Sequence, residues 1–292
     1  MTGVAGYIAP RHLKAIKDTG NILIAATDPN DSVGILDRYF PDTAFFTEIE
    51  RFDRHIEKLR RLKEGIDYLS ICSPNNLHDA HIRLALRNGA DAICEKPLVL
   101  NPWNLDLLEK LESEYGKRIF TILQLRVHPA LIALRNKISD EKKTSKHIVE
   151  LEYITSRGKW YNYSWKGDPQ KSGGIATNIG VHFFDLLIWL FGQPVRYKVE
   201  LNLIDKMKGE VELENANVKW LLSINKNDLP EEVKKEGKST YRKISIDGSE
   251  VEFTEGFTEL HTEVYKQILS GNGFTIKDTR PSIELVYGLR NS

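Results

Sequence analysis

At 292 residues, the chain is long for a single hydrophobic core and predicts two domains. Hydrophobic residues make up 41% and charged residues 28% of it, a composition typical of globular proteins and not of disordered chains. Lysine plus arginine and aspartate plus glutamate each number 41, so no global positive charge recruits nucleic acid. No apolar run approaches the roughly 20 residues of a membrane span and no secretion signal is visible, so we expect a cytoplasmic protein without a membrane partner.

The two cysteines, Cys72 and Cys94, lie within apolar stretches where a small buried residue is expected. This use of cysteine favours a reducing compartment over a fold held by disulfides. No group of histidines, cysteines and acidic residues has metal-ligand spacing, so the sequence predicts no metal site.

The first motif is a glycine turn, GVAGYIA at residues 3–9, followed by a predicted helix and by a predicted strand (residues 21–27) that ends at Asp28. Glycines before a helix let the backbone approach a pyrophosphate, and a carboxylate about 20 residues later can accept hydrogen bonds from an adenosine ribose. Asp28 predicts NAD over NADP because it would repel a 2′-phosphate. Only Met1 and Thr2 precede the turn, so we expect a trimmed or misassigned start, with a drastically shortened first strand as the alternative.

Two further strands are predicted at residues 67–72 and 90–94, with a helix between them that ends at Gly89. Strands that alternate with helices indicate a parallel sheet, whose ligands lie at the carboxyl ends of its strands. The loop at residues 73–78 (SPNNLH) and the EKP motif at residues 95–97 both follow such ends. For EKP alone, an exposed turn is the alternative interpretation.

A helix at residues 101–115 and a strand at residues 120–125 complete the predicted first domain. Gln124 and Arg126 leave the sheet near the same edge. We therefore place the first domain at residues 1–126 and the second at residues 127–292, with the closing segment as a candidate to pack back on the first.

The second half contains five segments that alternate apolar and polar residues, as half-exposed strands do: residues 146–156, 196–203, 209–214, 218–224 and 241–247. Residues 173–192 (GGIATNIGVHFFDLLIWLFG) predict an amphipathic helix from about Ile175. Its spacing places Asn178, His182 and Asp185 on one face. Either these residues act together, or the helix is simply packed and its histidine hydrogen-bonded.

Taken together, the glycine turn, Asp28, SPNNLH, EKP, the NIGVHFFDLL helix and TRPSIELV (residues 279–286) resemble the Gfo/Idh/MocA oxidoreductases. Within that family, the chain is most similar to the UDP-N-acetylglucosaminuronate 3-dehydrogenases. The residues that carry this closer resemblance are CSPNNLH, GADAICEKPLVLNPWN and the segments at residues 157–161 and 164–168.

The resemblance implies an α/β fold, with an N-terminal Rossmann domain built on a doubly wound parallel sheet and a C-terminal α/β domain with a large, mostly antiparallel sheet. It implies NAD-dependent oxidation of the 3-hydroxyl of a UDP-linked N-acetylhexosaminuronate, in nucleotide-sugar synthesis for surface polysaccharide such as lipopolysaccharide O-antigen. It also implies a homodimer or homotetramer formed through the second sheet.

We assign catalysis to three residues. His182 is the proton acceptor because histidine as a residue type titrates near the working pH without much tuning, Lys96 polarises the reacting oxygen, and Asn178 hydrogen-bonds substrate and base where many relatives carry aspartate. Asp185 is a candidate to orient His182, with a structural contact as the alternative.

The predicted cofactor contacts are Gly3, Gly6, Tyr7, Ile8, Asp28, Ser73, Pro74, Asn75, His78, Glu95, Lys96 and Gln124. The predicted substrate contacts are Arg126, Arg157, Tyr161, Trp165, Lys166, Asn178 and His182, since an anionic diphosphate-linked uronate calls for cationic and aromatic groups.

Two alternatives stay open. One is another family chemistry, acting on a simple sugar or inositol. The other is a non-catalytic, NAD-responsive binding protein on the same scaffold, because one fold carries many functions.

Overall fold

The computed structural model describes residues 1–141, 145–253 and 259–292. It divides into two compact units, Met1–Val127 with Gly256–Arg280, and His128–Glu255 with Pro281–Ser292. The first unit thus combines the N-terminal part of the chain with a stretch from near its end.

The strands of the described chain are Ala25–Thr27 (β1), Ala44–Phe46 (β2), Tyr68–Ile71 (β3), Asp91–Cys94 (β4), Ile119–Thr121 (β5), His147–Thr155 (β6), Pro194–Asn202 (β7), Lys206–Leu213 (β8), Ala216–Ser223 (β9), Thr240–Ile246 (β10) and Ser249–Glu250 (β11). Its α-helices are Ala9–Asp18 (α1), Ile35–Tyr39 (α2), Ile49–Arg61 (α3), His78–Arg87 (α4), Trp103–Tyr115 (α5), Pro129–Asp140 (α6), Trp160–Tyr163 (α7), Pro169–Ser172 (α8), Val181–Phe191 (α9), Glu231–Lys235 (α10), Leu260–Leu269 (α11) and Ile276–Arg290 (α12).

The sheet of the first unit is parallel, with β1 beside β2 and with β4 between β3 and β5. Thr2 lies between β1 and β3, in parallel bridges to Thr27 and Ile71. A cavity of about 330 Å³ adjoins Met1 at this position and is lined mainly by residues 21–25 and 64–68. The predicted parallel sheet is confirmed, and its central strand consists here of a single bridged residue.

Helix α11 belongs to the first unit because its apolar side packs on the end of that sheet. Val264 and Ile268 share a buried cluster with Phe120, which lies in β5, and with Ile122, which directly follows it. Gly273, just after the helix, has no room for a side chain, since a Cβ atom there would lie 2.5 Å from the Phe120 ring.

The second unit is built on a six-stranded sheet in the order β11-β10-β6-β9-β8-β7. Its neighbouring strands are antiparallel except for β6 and β9, which run parallel. Strand β6 alternates buried and exposed residues in its first half, as the sequence predicts for a strand with one covered face. The predicted large, mostly antiparallel sheet is confirmed.

Helix α9 covers the inner face of this sheet. Phe184 meets Trp220 of β9 edge to face, with ring centroids 5.4 Å apart, a geometry that contributes about 1 kcal/mol beyond area burial. Gly180 lies so close to β9 that a Cβ atom would come within 2.6 Å of Leu222. The packing therefore requires a glycine at the point where the chain enters the helix.

The stretch Pro169–Phe191 is long and apolar enough to cross a membrane by length and composition alone. The expectation that no run reaches that length was wrong for this stretch. In the structure, 78% of its apolar window is buried, which is the burial of a core helix packed on a sheet.

Several predicted boundaries were too generous. Residues 21–24 and 122–125 are not strand, and Gln124–Val127 forms a 3₁₀ turn. The helix predicted from Ile175 is π-helical at Ala176–Gly180 and becomes α-helical at Val181. Apolar periodicity did not indicate this change, because a π turn adds only one residue to a helix.

Candidate active site

The glycine turn packs directly on the end of β3. Gly3 has a φ of +75°, and a Cβ atom would lie 2.5 Å from the Cys72 carbonyl group, so glycine is required on both conformational and steric grounds. The Gly6 N–H donates to the Gly3 carbonyl, and α1 begins three residues later at Ala9. Tyr7 projects outward and is 87% exposed. The turn therefore leads from the strand position into the N-terminus of α1, where an anion is favoured.

Asp28, directly after β1, connects the second strand to this turn. Its carboxylate accepts the Ala5 N–H at 3.0 Å and the Asn30 N–H at 2.9 Å, one on each oxygen. A carboxylate offers about four lone-pair sites, so each oxygen retains capacity for a ribose hydroxyl. The structure thus fixes the orientation of the predicted ribose acceptor.

The SPNNLH loop is fastened to the EKP segment by His78. The buried ring of His78 lies 2.7 Å from the Pro97 carbonyl oxygen through Nδ1 and 2.9 Å from the Ser73 carbonyl oxygen through Nε2. Burial lowers the pKa of His78, although both carbonyls act in the opposite direction. The ring therefore lies between the two loops inside the protein, where a neutral imidazole donates to one of the two carbonyl oxygens. Asn75 is likewise buried, and Pro74 precedes the short 3₁₀ turn that Asn75 begins.

Glu95 is buried, and its side chain turns into the protein. Oε1 lies 2.8 Å from Nε2 of His12 and 3.0 Å from Nε2 of His261. Burial by itself would raise the pKa of Glu95, but the hydrogen bonds from the two histidines hold it well below the usual value. The next residue, Lys96, is half-buried, and the Lys96–Pro97 peptide bond is cis.

His12, Glu95 and His261 form a donor set that could hold a metal ion, with their ligand atoms within 4.8 Å of one another. The sequence showed no such cluster because its members come from α1, the end of β4 and α11. The expectation that no potential metal ligands come together was therefore wrong, because these three side chains lie close enough to bind one ion. Here the three groups meet through direct hydrogen bonds.

Gln124 and Arg126 lie on the 3₁₀ turn at Gln124–Val127, not on a strand end. The Arg126 guanidinium is buried and donates through Nη2 to the Asp278 carbonyl oxygen at 2.9 Å. It also stands over the Phe274 ring at 5.6 Å. The guanidinium of Arg126, a predicted substrate contact, is therefore held in place by Asp278 and Phe274 of the first unit.

In the second unit, Asn178 and His182 are half-buried on a helical stretch whose other side chains are mostly buried. They stand four residues apart, at the passage from the π turn into α9. Asn178 donates through Nδ2 to the Tyr161 hydroxyl at 2.8 Å, which fixes its amide. Asp185 is only 2% exposed and so does not share their accessible face.

Next to Tyr161 lies a loop of cations and indoles. The Lys166 ammonium stands 5.1 Å from the centre of the Trp165 ring and 5.6 Å from that of Trp160. Burial lowers the pKa of Lys166, and the positive charge of Arg157 lowers it further. Burial also raises the pKa of Tyr161, which keeps its hydroxyl protonated as a donor. Two cations that repel each other beside aromatic faces would bind an anion with attached rings.

Sequence reasoning missed three residues of these two regions. His12 fell within the helix predicted after the glycine turn, His261 was not singled out, and Trp165 was chosen without Trp160. A polar residue on the otherwise apolar side of α1 was the available signal, because His12 lies among Ala9, Leu13 and Ile16, which are buried.

Comparison with known families matches both parts of the chain. Residues 1–123 match the oxidoreductase family GFO_IDH_MocA, described as an NAD-binding Rossmann fold, and residues 147–283 match its C-terminal alpha/beta domain. The predicted fold class, oxidoreductase activity and NAD cofactor are confirmed by these matches.

Two solved structures of the WlbA (WbpB) dehydrogenase from Thermus thermophilus are similar over 99% of this chain and 93% of theirs. One is a complex with NAD and alpha-ketoglutarate (53% identity, TM-score 0.96), the other with NAD and UDP-GlcNAcA (52% identity, TM-score 0.95). The inositol 2-dehydrogenase of Rhizobium meliloti (strain 1021) is 26% identical over 211 residues. These are 70% of this chain and 59% of that enzyme, so the chain spans less than two thirds of this curated relative.

Proposed function

Because this chain belongs to the Gfo/Idh/MocA oxidoreductase family, we propose that it oxidises the 3-hydroxyl of a UDP-linked N-acetylhexosaminuronate to the 3-keto sugar, with NAD as oxidant. The observation that carries the choice of substrate is the 52% identity, over 99% of the chain, to a dehydrogenase crystallised with NAD and UDP-GlcNAcA. The pair of Arg157 and Lys166 beside two indoles supports the same class of substrate.

In this proposal the cofactor is held by the first unit. The turn at Gly3 and Gly6 faces the pyrophosphate, Asp28 accepts from the adenosine ribose, and the carboxyl-end loops after β3 and β4 complete the cradle. When bound, NAD would accept the hydride. Arg126 remains a proposed substrate contact, with its guanidinium oriented by the Asp278 carbonyl oxygen.

The side chains of the protein contribute a proton transfer and stabilisation of the developing carbonyl oxygen. His182 removes the proton of the hydroxyl as its carbon loses hydride, because a histidine is unprotonated for a substantial fraction of the time near neutral pH. Lys96 stabilises the oxygen as it becomes a carbonyl. Asn178, oriented by Tyr161, hydrogen-bonds the substrate or the base but supplies no charge to an imidazolium.

We place this reaction in nucleotide-sugar synthesis for surface polysaccharide such as O-antigen, in the cytoplasm where its substrates are made. We further propose a homodimer or homotetramer through the outer face of the six-stranded sheet. On β6, Ile148 is exposed on that face, since it alternates with the buried Val149 of the covered face.

A second candidate is oxidation of inositol or a simple sugar, favoured by the match to an inositol 2-dehydrogenase. Such substrates carry no diphosphate, so they leave the cationic loop without an occupant. Competition by UDP separates the two candidates, because millimolar UDP should inhibit only an enzyme whose site binds the nucleotide.

The test is incubation of the purified protein with NAD and UDP-N-acetylglucosaminuronate, followed by mass spectrometry. We expect a product two mass units lighter, with formation of NADH and inhibition by UDP. Addition of alpha-ketoglutarate, which the relative binds, tests whether it reoxidises NADH and is itself reduced to the hydroxy acid. Turnover of inositol without inhibition by UDP would reject the nucleotide-sugar substrate.

A further inference from the structure

A group of five polar side chains is buried in the first unit and is not used in the proposed chemistry. This Glu95 cluster consists of Ser70, Tyr265, His12, Glu95 and His261, and each residue is at most 6% exposed. They come from β3, α11, α1 and the end of β4. Burying polar groups is costly unless they are hydrogen-bonded, and each of these five side chains has a partner within the cluster.

The hydrogen bonds of the cluster run in one direction. A carboxylate can only accept, so both Nε2 atoms donate to Oε1 of Glu95, from His12 at 2.8 Å and from His261 at 3.0 Å. Burial lowers the pKa of His12, which favours the neutral ring, and a neutral ring with its proton on Nε2 leaves Nδ1 as an acceptor. The Tyr265 hydroxyl donates to that Nδ1 at 2.8 Å and accepts from Ser70 Oγ at 2.7 Å.

The other oxygen of Glu95 faces the main chain of the next residue. The Lys96 N–H donates to Oε2 at 3.3 Å. One carboxylate thus receives three N–H donors, two from helices that pack on the sheet and one from the peptide that carries Lys96. The helices fix the carboxylate, and the carboxylate fixes that peptide.

We propose that Glu95 is a positioning residue, which holds the Lys96 main chain where its ammonium can polarise the reacting oxygen. This inference rests on the proposed dehydrogenase function. The cluster explains why a buried charge is required rather than a polar group of the same shape. A glutamine at position 95 has one acceptor oxygen and one NH₂ group, so it would turn donors either toward the two histidines or toward the Lys96 N–H.

The principal variant is Glu95→Gln, with Glu112→Gln as its matched control. Glu112 lies in the same unit and accepts the Ile119 N–H through one oxygen, which a glutamine oxygen can replace. In single-turnover mixing with saturating NAD and UDP-N-acetylglucosaminuronate, we expect NADH formation to slow about 10- to 100-fold in Glu95→Gln, because small misplacements of a catalytic group have effects of that size. The KM for the sugar and the Kd for NAD should change less than about 3-fold.

A pair of variants at His261 tests whether donors are needed. His261→Gln keeps an N–H donor for Oε1 and should retain most of the single-turnover rate, whereas His261→Leu removes the donor and should lose it. If both slow the reaction equally, shape and not hydrogen bonding matters, and the positioning role is rejected.

Amide hydrogen exchange provides a measurement that does not depend on activity. In the wild-type protein and in Glu112→Gln, the peptide that contains Lys96 should be protected, and Glu95→Gln should exchange at least about 10-fold faster there. The inference is overturned if Glu95→Gln shows the same amide exchange at Lys96 as the wild type. It is also overturned if Glu95→Gln forms NADH as fast as an active wild-type protein. A wild-type protein that fails to oxidise the UDP-sugar overturns the proposed function instead, while the exchange experiment still decides whether Glu95 holds the peptide.

Discussion

Glu95 and Lys166 are two charges removed from water in opposite ways. The Glu95 carboxylate receives three N–H donors from the protein itself. The Lys166 ammonium lies over two indole rings with Arg157 nearby, and among the described residues no carboxylate pairs with it. A charge whose partners are built in is satisfied within the fold, whereas a cation that burial and a like charge destabilise would gain its partner only from an anionic ligand.

The contrast between Glu95 and Lys166 implies that substitutions in the second unit can remove function without unfolding the protein. The largest effect is expected at His182. His182→Asn should lower kcat about 100- to 10,000-fold, the range of general-base catalysis, while the Kd for NAD stays unchanged. Initial rates and NAD titration by fluorescence measure the two quantities. The same change at His55, on α3 of the first unit, is the control and should leave kcat intact. A fully active His182→Asn protein would remove this histidine from the reaction.

A smaller effect is expected at Lys166, which we propose contacts the anionic part of the substrate. Lys166→Met keeps the apolar stem against the indoles and should raise the KM for the UDP-sugar about 10- to 50-fold, in line with one charge-assisted hydrogen bond. The melting temperature should be unchanged or slightly higher, because the repulsion from Arg157 disappears.

Lys171→Met is the matched control for that variant, since Lys171 is exposed on the same segment and pairs with Asp168 at 3.7 Å. It should leave the KM unchanged. Equal KM values for Lys166→Met and the wild type would show that the cationic loop does not contact the substrate.

The smallest effect concerns stability in the first unit. His81 bonds Ser73 Oγ through Nδ1, and burial, with the neighbouring His78, lowers its pKa to about 4. The unfolded chain binds a proton below pH 6.5 that the folded protein takes up only near pH 4, so stability falls as the pH drops through this window. At pH 5 the loss is about 2 kcal/mol.

Urea unfolding at pH 7.5 and pH 5.0 checks this expectation. His81→Gln should lose about 2 kcal/mol less than the wild type between the two pH values, because glutamine does not titrate there. An identical pH dependence in both proteins would mean that the His81 ring is not protected from protonation in the folded state.

Much of the fold followed from local patterns in the sequence. Strands β3 and β4 and helix α4 lie within a residue or two of their predicted bounds, because buried strands, a C-terminal glycine and helical periodicity are all local signals. The accessible face with Asn178 and His182 was also predictable, since a spacing of four survives the change from π to α geometry.

What could not be predicted depends on contacts between distant parts of the chain. Glu95 was placed with the cofactor contacts because it stands beside Lys96, and its partners lie 83 and 166 residues away in the sequence. The buried position of Asp185 has the same origin, since the sheet that covers α9 is formed by segments on both sides of it. Helical spacing gives the relative direction of side chains but not which direction is covered.

The Glu95 cluster also bears on how the protein can be dissected. A fragment that ends at residue 127 would keep the glycine turn, Asp28 and EKP, and so every motif by which a dinucleotide-binding domain is usually recognised. It would lack His261 and Tyr265, leaving Glu95 one donor short and His12 without its hydroxyl partner in the interior. The part of this chain that reads as a separable cofactor module is therefore completed by residues from the far end of the sequence, and cutting at the motif boundary would expose a buried charge.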